Sequence, residues 1–284
     1  MKTLLINGSS GFLGSQICKY FEKKYHIDRL NSDDYLIEPI LLAERIKKAD
    51  IIINLAGARI SLFASKHYKQ VMYESRVSTT LNLCKAIELL EVKPELFISF
   101  SAVGIYDYDH THDETSSFLG NDFLAQLCKD WELAARCKTL NNNLLIIRTG
   151  IVLSKEGGFV KRILKPFRLG LGAVIGKGDQ VFPFIHITDF LSAIDFAVDR
   201  HLTGIVNFVA PVNCTNKQFS VSVCKALKRP LIFKVPSVFV KILLGDNSSM
   251  LLKGQDVVPK VLIDNNFVFQ FPEIDSVVTN LINS

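Results

Sequence analysis

A turn built on three glycines at the very start of the chain limits its fold more than any other feature. Thr3 to Asn7 is a short apolar run of strand type, and Gly8-Ser9-Ser10-Gly11-Phe12-Leu13-Gly14 follows it at once, opening a helical stretch from Phe12 to Lys24. Glycine permits a tight turn and a close approach of backbone to ligand, while the unpaired N–H groups and positive dipole end of a new helix favour an anion. Set between a strand and a helix, this spacing points to a dinucleotide-binding βαβ unit with the pyrophosphate on Gly8 to Gly14.

The first half keeps up the rhythm such a unit requires. Strand-type runs are expected at Tyr25–Leu30, Asp50–Leu55, Leu96–Ser101 and Leu144–Thr149, and helical stretches at Pro39–Lys48, Tyr68–Leu90 and Asp122–Leu140. After Ser154 the pattern breaks into Gly157-Gly158, Gly170 to Gly178 and Pro183, and a strand-like Gly204–Val209 returns later. The expected fold is therefore α/β: a doubly wound parallel-sheet Rossmann fold with a smaller C-terminal α+β substrate domain. The boundaries that follow are 1–154 for the nucleotide-binding domain, with 185–210 returning to it, and 155–284 for the C-terminal segment.

Composition removes several alternatives. With 48% hydrophobic and 21% charged residues, the chain has no stretch polar enough to stay disordered. Its apolar runs fall well short of the ~20 residues of a membrane span, and Met1 to Ser10 holds one lysine and only Leu4 to Ile6 as an apolar run. A cytoplasmic protein without a membrane partner is expected. The six cysteines, Cys18, Cys84, Cys128, Cys137, Cys214 and Cys224, form no C-x-x-C pair and read as reduced thiols. The net charge of +5 is diffuse, apart from Lys155, Lys161, Arg162, Lys165 and Arg168, which read either as a solvated face or as a grip for a phosphorylated substrate. Nucleic acid is not an expected partner.

Further segments carry a family resemblance. Asn54-Leu55-Ala56-Gly57, Ser75-Arg76-Val77-Ser78-Thr79-Thr80, Ser99 to Tyr106, Gly120 to Ala125, Cys128-Lys129-Asp130-Trp131-Glu132 and Arg148 to Leu153 lie in order along the first half. Phe167 to Gly172, Ile185-His186-Ile187 with Asp189, Leu243-Leu244-Gly245, Gly254-Gln255 and Val258-Pro259-Lys260 continue the series. Together they resemble the YfcH-type epimerase family, an atypical branch of the extended short-chain dehydrogenase/reductases, over essentially the whole chain. The resemblance implies NAD or NADP as cofactor, with Gly8, Ser10, Gly11, Phe12, Leu13 and Gly14 on the pyrophosphate side and Leu55, Ala56, Gly57 and Arg76 beyond it. It also implies a homodimer through the Tyr68–Leu90 helix, and hydride transfer or epimerisation on a polar small molecule, with nucleotide-linked substrates among the candidates.

The catalytic residues are harder to assign. Most of the superfamily uses Tyr-x-x-x-Lys, which puts both groups on one helix face so that the cation lowers the tyrosine pKa. Here all seven tyrosines lie at or before Tyr108, and the relevant helix has Phe123, Leu124, Leu127 and Cys128 instead. Tyr20 and Lys24 match the spacing but sit at the far end of the first helix. The remaining candidates are Ser101, as a catalytic group or a cofactor contact, and Tyr106, each weighed against a purely structural role; Lys129 is expected to face solvent, and Arg148 either meets a phosphate or caps a strand. The missing dyad keeps a second reading open, a non-catalytic protein that binds or senses NAD(P).

Cofactor choice depends on Asp28 and Arg29, about 20 residues past the glycines, where an acid favours NAD and an arginine NADP. The two point opposite ways, and Asn31, Ser32, Asp33 and Asp34 supply no arginine after that strand. NADP is slightly preferred. The stretch from there to Asp50 is short enough to have lost a helix and a strand. His110, His112, Asp113 and Glu114 match no metal spacing and read as a solvated loop, so no metal is expected; His186 reads either as near the substrate or as a satisfied buried histidine.

Overall fold

The computed structural model describes residues 1–31, 34, 37–140 and 142–283. In chain order, the N-terminal part runs Thr3–Asn7 (β1), Phe12–Phe21 (α1), His26–Leu30 (β2), Pro39–Ile46 (α2), Ile51–Asn54 (β3), Lys66–Glu74 (α3), Val77–Leu89 (α4), Leu96–Ala102 (β4), Thr111–His112 (β5), Phe123–Ala134 (α5) and Leu144–Thr149 (β6). There follow Ile151–Leu153 (β7), Gly158–Arg168 (α6), Ala173–Ile175 (β8), Phe184–His186 (β9), Ile187–Asp199 (α7), Gly204–Phe208 (β10) and Asn216–Ala226 (α8). The chain ends with Phe233–Val235 (β11), Ser237–Leu244 (α9), Ser249–Leu252 (α10), Asp256–Val257 (β12), Lys260–Asp264 (α11) and Ile274–Asn283 (α12).

Six parallel strands form the central sheet in the order β10-β6-β4-β3-β1-β2. Strands β2 and β3 flank β1 on opposite sides, so the chain reverses direction across the sheet at the end of β1. At such a switch point the loops splay apart and leave a crevice, and the three-glycine turn lies there. Among the described residues, α2 is the one α-helix between β2 and β3.

Both faces of the sheet are covered, which explains why its strands are nearly continuous apolar runs. Leu4, Ile6, Ile53 and Ile98 pack with Ile17 and Phe21 of α1 and Phe190 and Ile194 of α7. Leu5, Ile52 and Phe97, the alternate residues, pack with Leu42 and Ile46 of α2 and Leu83 and Ile87 of α4. A separate core under the C-terminal lobe gathers Leu164, Phe167, Phe184, Phe219, Val277 and Leu281.

Three expectations need correction. The helix expected over Tyr68–Leu90 is two helices, because Ser75 takes the Ala58 N–H on its hydroxyl (2.8 Å) and Arg76 folds onto the Met72 carbonyl (3.1 Å). Cys84 and Cys137, expected as thiols, form a disulfide: packing of α4 on α5 brings their Cα atoms to 5.3 Å, which no spacing 53 residues apart could reveal. The other four cysteines are free and buried. The loop expected to be solvated is partly interior, with His112 fully buried and stacked on Tyr106 at 4.6 Å.

His186 is buried at the start of α7, where its Nδ1 accepts the Thr188 N–H at 3.2 Å. Burial pulls its pKa from 6.5 down to about 4. Between those values the unfolded chain binds the extra proton, so stability should fall as pH drops from 6.5 towards 4. Asp189, raised by its own burial, pulls the opposite way, so a variant is needed to isolate the histidine. His186→Asn, which retains a capping group, should flatten the acid limb of a denaturation-versus-pH curve; an unchanged slope would rule His186 out as its source.

Candidate functional site

The site is built on the turn after β1. Gly8 has φ +91°, and a Cβ there would lie 2.8 Å from Ala56 N. At Gly14 a Cβ would lie 2.2 Å from the Gly8 carbonyl oxygen, so only glycine lets α1 start this close to the turn. Gly11 is the N-cap of α1 in an extended conformation, and no side chain caps the helix. The first N–H groups of α1 thus keep their donor capacity for an anion.

These residues open into a cleft of about 580 Å³. Of the expected cofactor residues, Gly8, Ser10, Gly11, Phe12, Leu13, Leu55, Ala56, Gly57, Arg76 and Ser101 line it. Gly14 packs behind the turn, and Asp28, Arg29 and Tyr106 stand away from the cleft wall. Arg76 is only 8% exposed, its guanidinium held against Gly57 and over the Trp131 ring at 5.2 Å. Burial lowers its pKa, and among the described residues no carboxylate lies within ion-pair distance of it. A buried guanidinium without a counter-ion beside an uncapped helix start makes the cleft strongly receptive to anions.

Beneath the floor runs a buried polar chain. Asn7 donates to Asn54 (2.8 Å), Asn54 donates to Thr80 (2.8 Å), and the Trp131 indole N–H donates to the same hydroxyl (3.0 Å). It ties the ends of β1 and β3 to α4 and α5.

A second network joins the two catalytic candidates. Arg148 on β6 donates Nε to Glu132 Oε1 (2.7 Å) and Nη2 to Oε2 (2.8 Å), a two-pronged ion pair with both side chains buried. Ser101 donates its hydroxyl to Glu132 Oε1 (2.7 Å). With its proton committed inward, Ser101 offers the cleft lone pairs, making it an acceptor there rather than an acid. Tyr106 is fully buried: its hydroxyl accepts from Arg148 Nη1 (2.9 Å) and donates to Asn207 Oδ1 (2.9 Å), and burial raises its pKa. The structure therefore brings Ser101 to the cleft and leaves Tyr106 in the packing behind it.

The helix that would carry the dyad has Phe123, Leu124, Leu127 and Cys128 at that spacing, and Leu124, Leu127 and Cys128 line the cleft. Burial and the nearby Glu132 push the Cys128 thiol up to about 12, so it stays protonated at neutral pH. Lys129, expected to face solvent, folds back to donate to the Gly120 carbonyl (2.7 Å). Lys24 pairs with Asp195 and Asp199, far from the cleft. No cluster of metal-ligating side chains occurs among the described residues.

Sequence reasoning missed two partners. Arg45 of α2 grips Asp28 with two bonds (2.6 and 2.7 Å) and also donates to the Arg29 carbonyl (3.0 Å), holding the Asp28 carboxyl below its usual range. Glu132 stands in the sequence only as part of a family-like segment; the one available signal is Arg148 itself, a cation inside an apolar strand that needs a buried acid. Arg29 is exposed near the end of β2, and Ser32 and Asp33 lie outside the described residues.

A doubly wound sheet with a glycine turn at its switch point, covered by an accessory C-terminal lobe, defines the Rossmann-type architecture of the extended dehydrogenases and reductases. The chain belongs to the NAD dependent epimerase/dehydratase family, whose profile matches residues 4–208, and a domain of unknown function, DUF1731, matches 235–281. It is 33% identical to the mouse epimerase family protein SDR39U1, over 98% of this chain and 99% of that one. It is 32% identical to epimerase family protein SSP1921 of Staphylococcus saprophyticus over the full length of both. Among solved structures, human SDR39U1 (isoform 2) with NADPH superposes with a TM-score of 0.89 at 28% identity, covering 99% of each chain. A nucleoside-diphosphate sugar epimerase from Corynebacterium glutamicum superposes at 0.78 and 25% identity, covering all of this chain and 59% of that one.

Proposed function

We propose that this protein binds NADP(H) in the cleft and uses it for oxidoreduction or epimerisation of a polar small molecule without a Tyr-x-x-x-Lys dyad. The observation that carries the reading is the buried, carboxylate-free guanidinium of Arg76 in the same cleft as the uncapped start of α1. The NADPH in the superposed human structure supports it. A nicotinamide bound there supplies or accepts a hydride. The chain's own residues then hold the pyrophosphate (Gly8 to Gly14), pack the adenosine side (Leu55, Ala56, Gly57, Arg76) and accept an N–H or O–H at Ser101. With only Phe123, Leu124, Leu127 and Cys128 at the dyad spacing, the helix gives no proton, and water or the substrate must provide it.

NADP is favoured over NAD because Asp28, the acceptor an NAD ribose would use, is held by Arg45, while Arg29 remains free to meet a 2′-phosphate. Residues 1–154 and 185–210 form the nucleotide-binding part in this reading, and the rest binds substrate. Arg29→Glu should cut the preference for NADPH over NADH roughly tenfold in competition titrations; an unchanged ratio would remove Arg29 from the site.

The apolar dyad positions favour a second reading, binding without turnover. Incubation with NADPH and a panel of carbonyl compounds, followed by the absorbance of the reduced nicotinamide, separates the two. Substrate-dependent consumption that Ser101→Ala slows supports catalysis. Tight binding with no consumption across the panel supports the sensor.

A further inference from the structure

The C-terminal lobe carries a surface that the cofactor cleft does not use. From α9 and the strand before it project Ile232, Phe233, Val238, Phe239, Ile242 and Leu243, all exposed, with Phe239 at 65% and Ile242 at 77%. Only Val240 and Leu244 of α9 turn inward. An apolar face this large on a short helix is uncommon on a protein that meets water alone.

The chain leading into it is basic, with Asp246 the first acid after α9. Between Asp199 and Asp246 the sequence has no acidic residue, and between Glu156 and Asp179 it again has none. Those two stretches come together in one lobe, because β11 pairs with β8 and α6 packs on α8. The lobe exposes Lys165, Arg168, Lys228, Arg229, Lys234 and Lys241, and among the described residues none of these six enters an ion pair.

We infer that this face docks on an anionic lipid bilayer. Aliphatic and aromatic side chains flanked by lysines and arginines match an acyl boundary beneath negative headgroups. A second copy of the chain would set like charges against each other across the same face. Nucleic acid would complement the charge and leave the six apolar side chains without a role. No helix among the described residues is long and apolar enough to cross a membrane, so the contact is with the surface. A surface contact departs from the expectation of a protein without a membrane partner, which short apolar runs support only against a span. Asn247, just after α9, donates to the Leu62 and Ala64 carbonyls, which ties this end of the face to the loop after β3.

The test is co-sedimentation of the whole protein with vesicles of neutral phosphatidylcholine alone or containing about one-third anionic phosphatidylglycerol. Wild type should sediment with the anionic vesicles and stay largely in solution with the neutral ones, and about 0.5 M salt should release most of it. Phe239→Asp/Ile242→Asp, whose side chains are mostly exposed and leave the core intact, should weaken binding roughly tenfold or more with an unchanged melting temperature. Lys234→Glu/Lys241→Glu should do the same through charge alone. No sedimentation with anionic vesicles, or equal binding to both kinds, overturns the proposal. So does a dimer in solution that Phe239→Asp/Ile242→Asp converts to monomer, which would make the face a self-contact. Oligonucleotide binding that survives Phe239→Asp/Ile242→Asp while vesicle binding is absent would assign the charge to nucleic acid.

Discussion

Glu132→Ala should lower the stability of this protein by about 3–5 kcal/mol, the cost of leaving a buried charge without its partner. Arg148 has both of its carboxylate bonds to Glu132, and neither side chain reaches water to recover them. Ser101 loses its acceptor in the same step. Urea denaturation monitored through Trp131, the chain's single tryptophan, reads the loss directly. Replacing both charges, as Glu132→Leu/Arg148→Met, should recover much of it, because well-packed apolar residues commonly substitute for a buried pair at little net cost. A single-variant loss under about 1 kcal/mol would mean the pair is solvated and would break the link drawn between α5, β6 and Ser101.

Gly14→Ala should be nearly as damaging, for a reason unrelated to charge. The added Cβ would meet the Gly8 carbonyl oxygen at 2.2 Å and the Ser9 Cα at 2.8 Å, and both are backbone atoms of the turn. Relief requires α1 to move away from the end of β1, at an expected cost of about 2–3 kcal/mol together with loss of nucleotide binding. The neighbouring Gly11→Ala is the control, since its Cβ comes no closer than 3.4 Å to the Gly8 carbonyl oxygen and its backbone is extended. Equal melting temperatures for the Gly14 variant and wild type would show that the turn is looser than described.

Elements set by local pattern were legible in the sequence. Thr3–Asn7 and Leu144–Thr149 were bounded correctly because each is an apolar run between residues that break it, and the glycine turn followed from its place between strand and helix. Elements set by distant partners were not. The first helix stops at Phe21 rather than Lys24, and Lys24 pairs instead with Asp195 and Asp199 of α7. The break at Ser75 depends on Ala58, and the capture of Asp28 depends on Arg45, a helix away. Tyr106 had the look of a strand-end catalytic phenol because sequence position cannot say which way a side chain turns; Arg148, Asn207 and His112 together draw it inward.

Calorimetric titration of NADPH into wild type and Gly11→Asp tests the nucleotide-binding claim most directly. Aspartate at an uncapped N-cap should accept the helix's own N–H groups, so the variant should melt no lower than wild type while its carboxylate occupies the place of the pyrophosphate. Saturable binding of NADPH by wild type, weakened roughly a hundredfold in the stably folded variant, is the expected result. If wild type binds neither NADPH nor NADH at about millimolar concentration, a range where even weak specific ligands register, or if Gly11→Asp binds as tightly as wild type, the cleft holds something else.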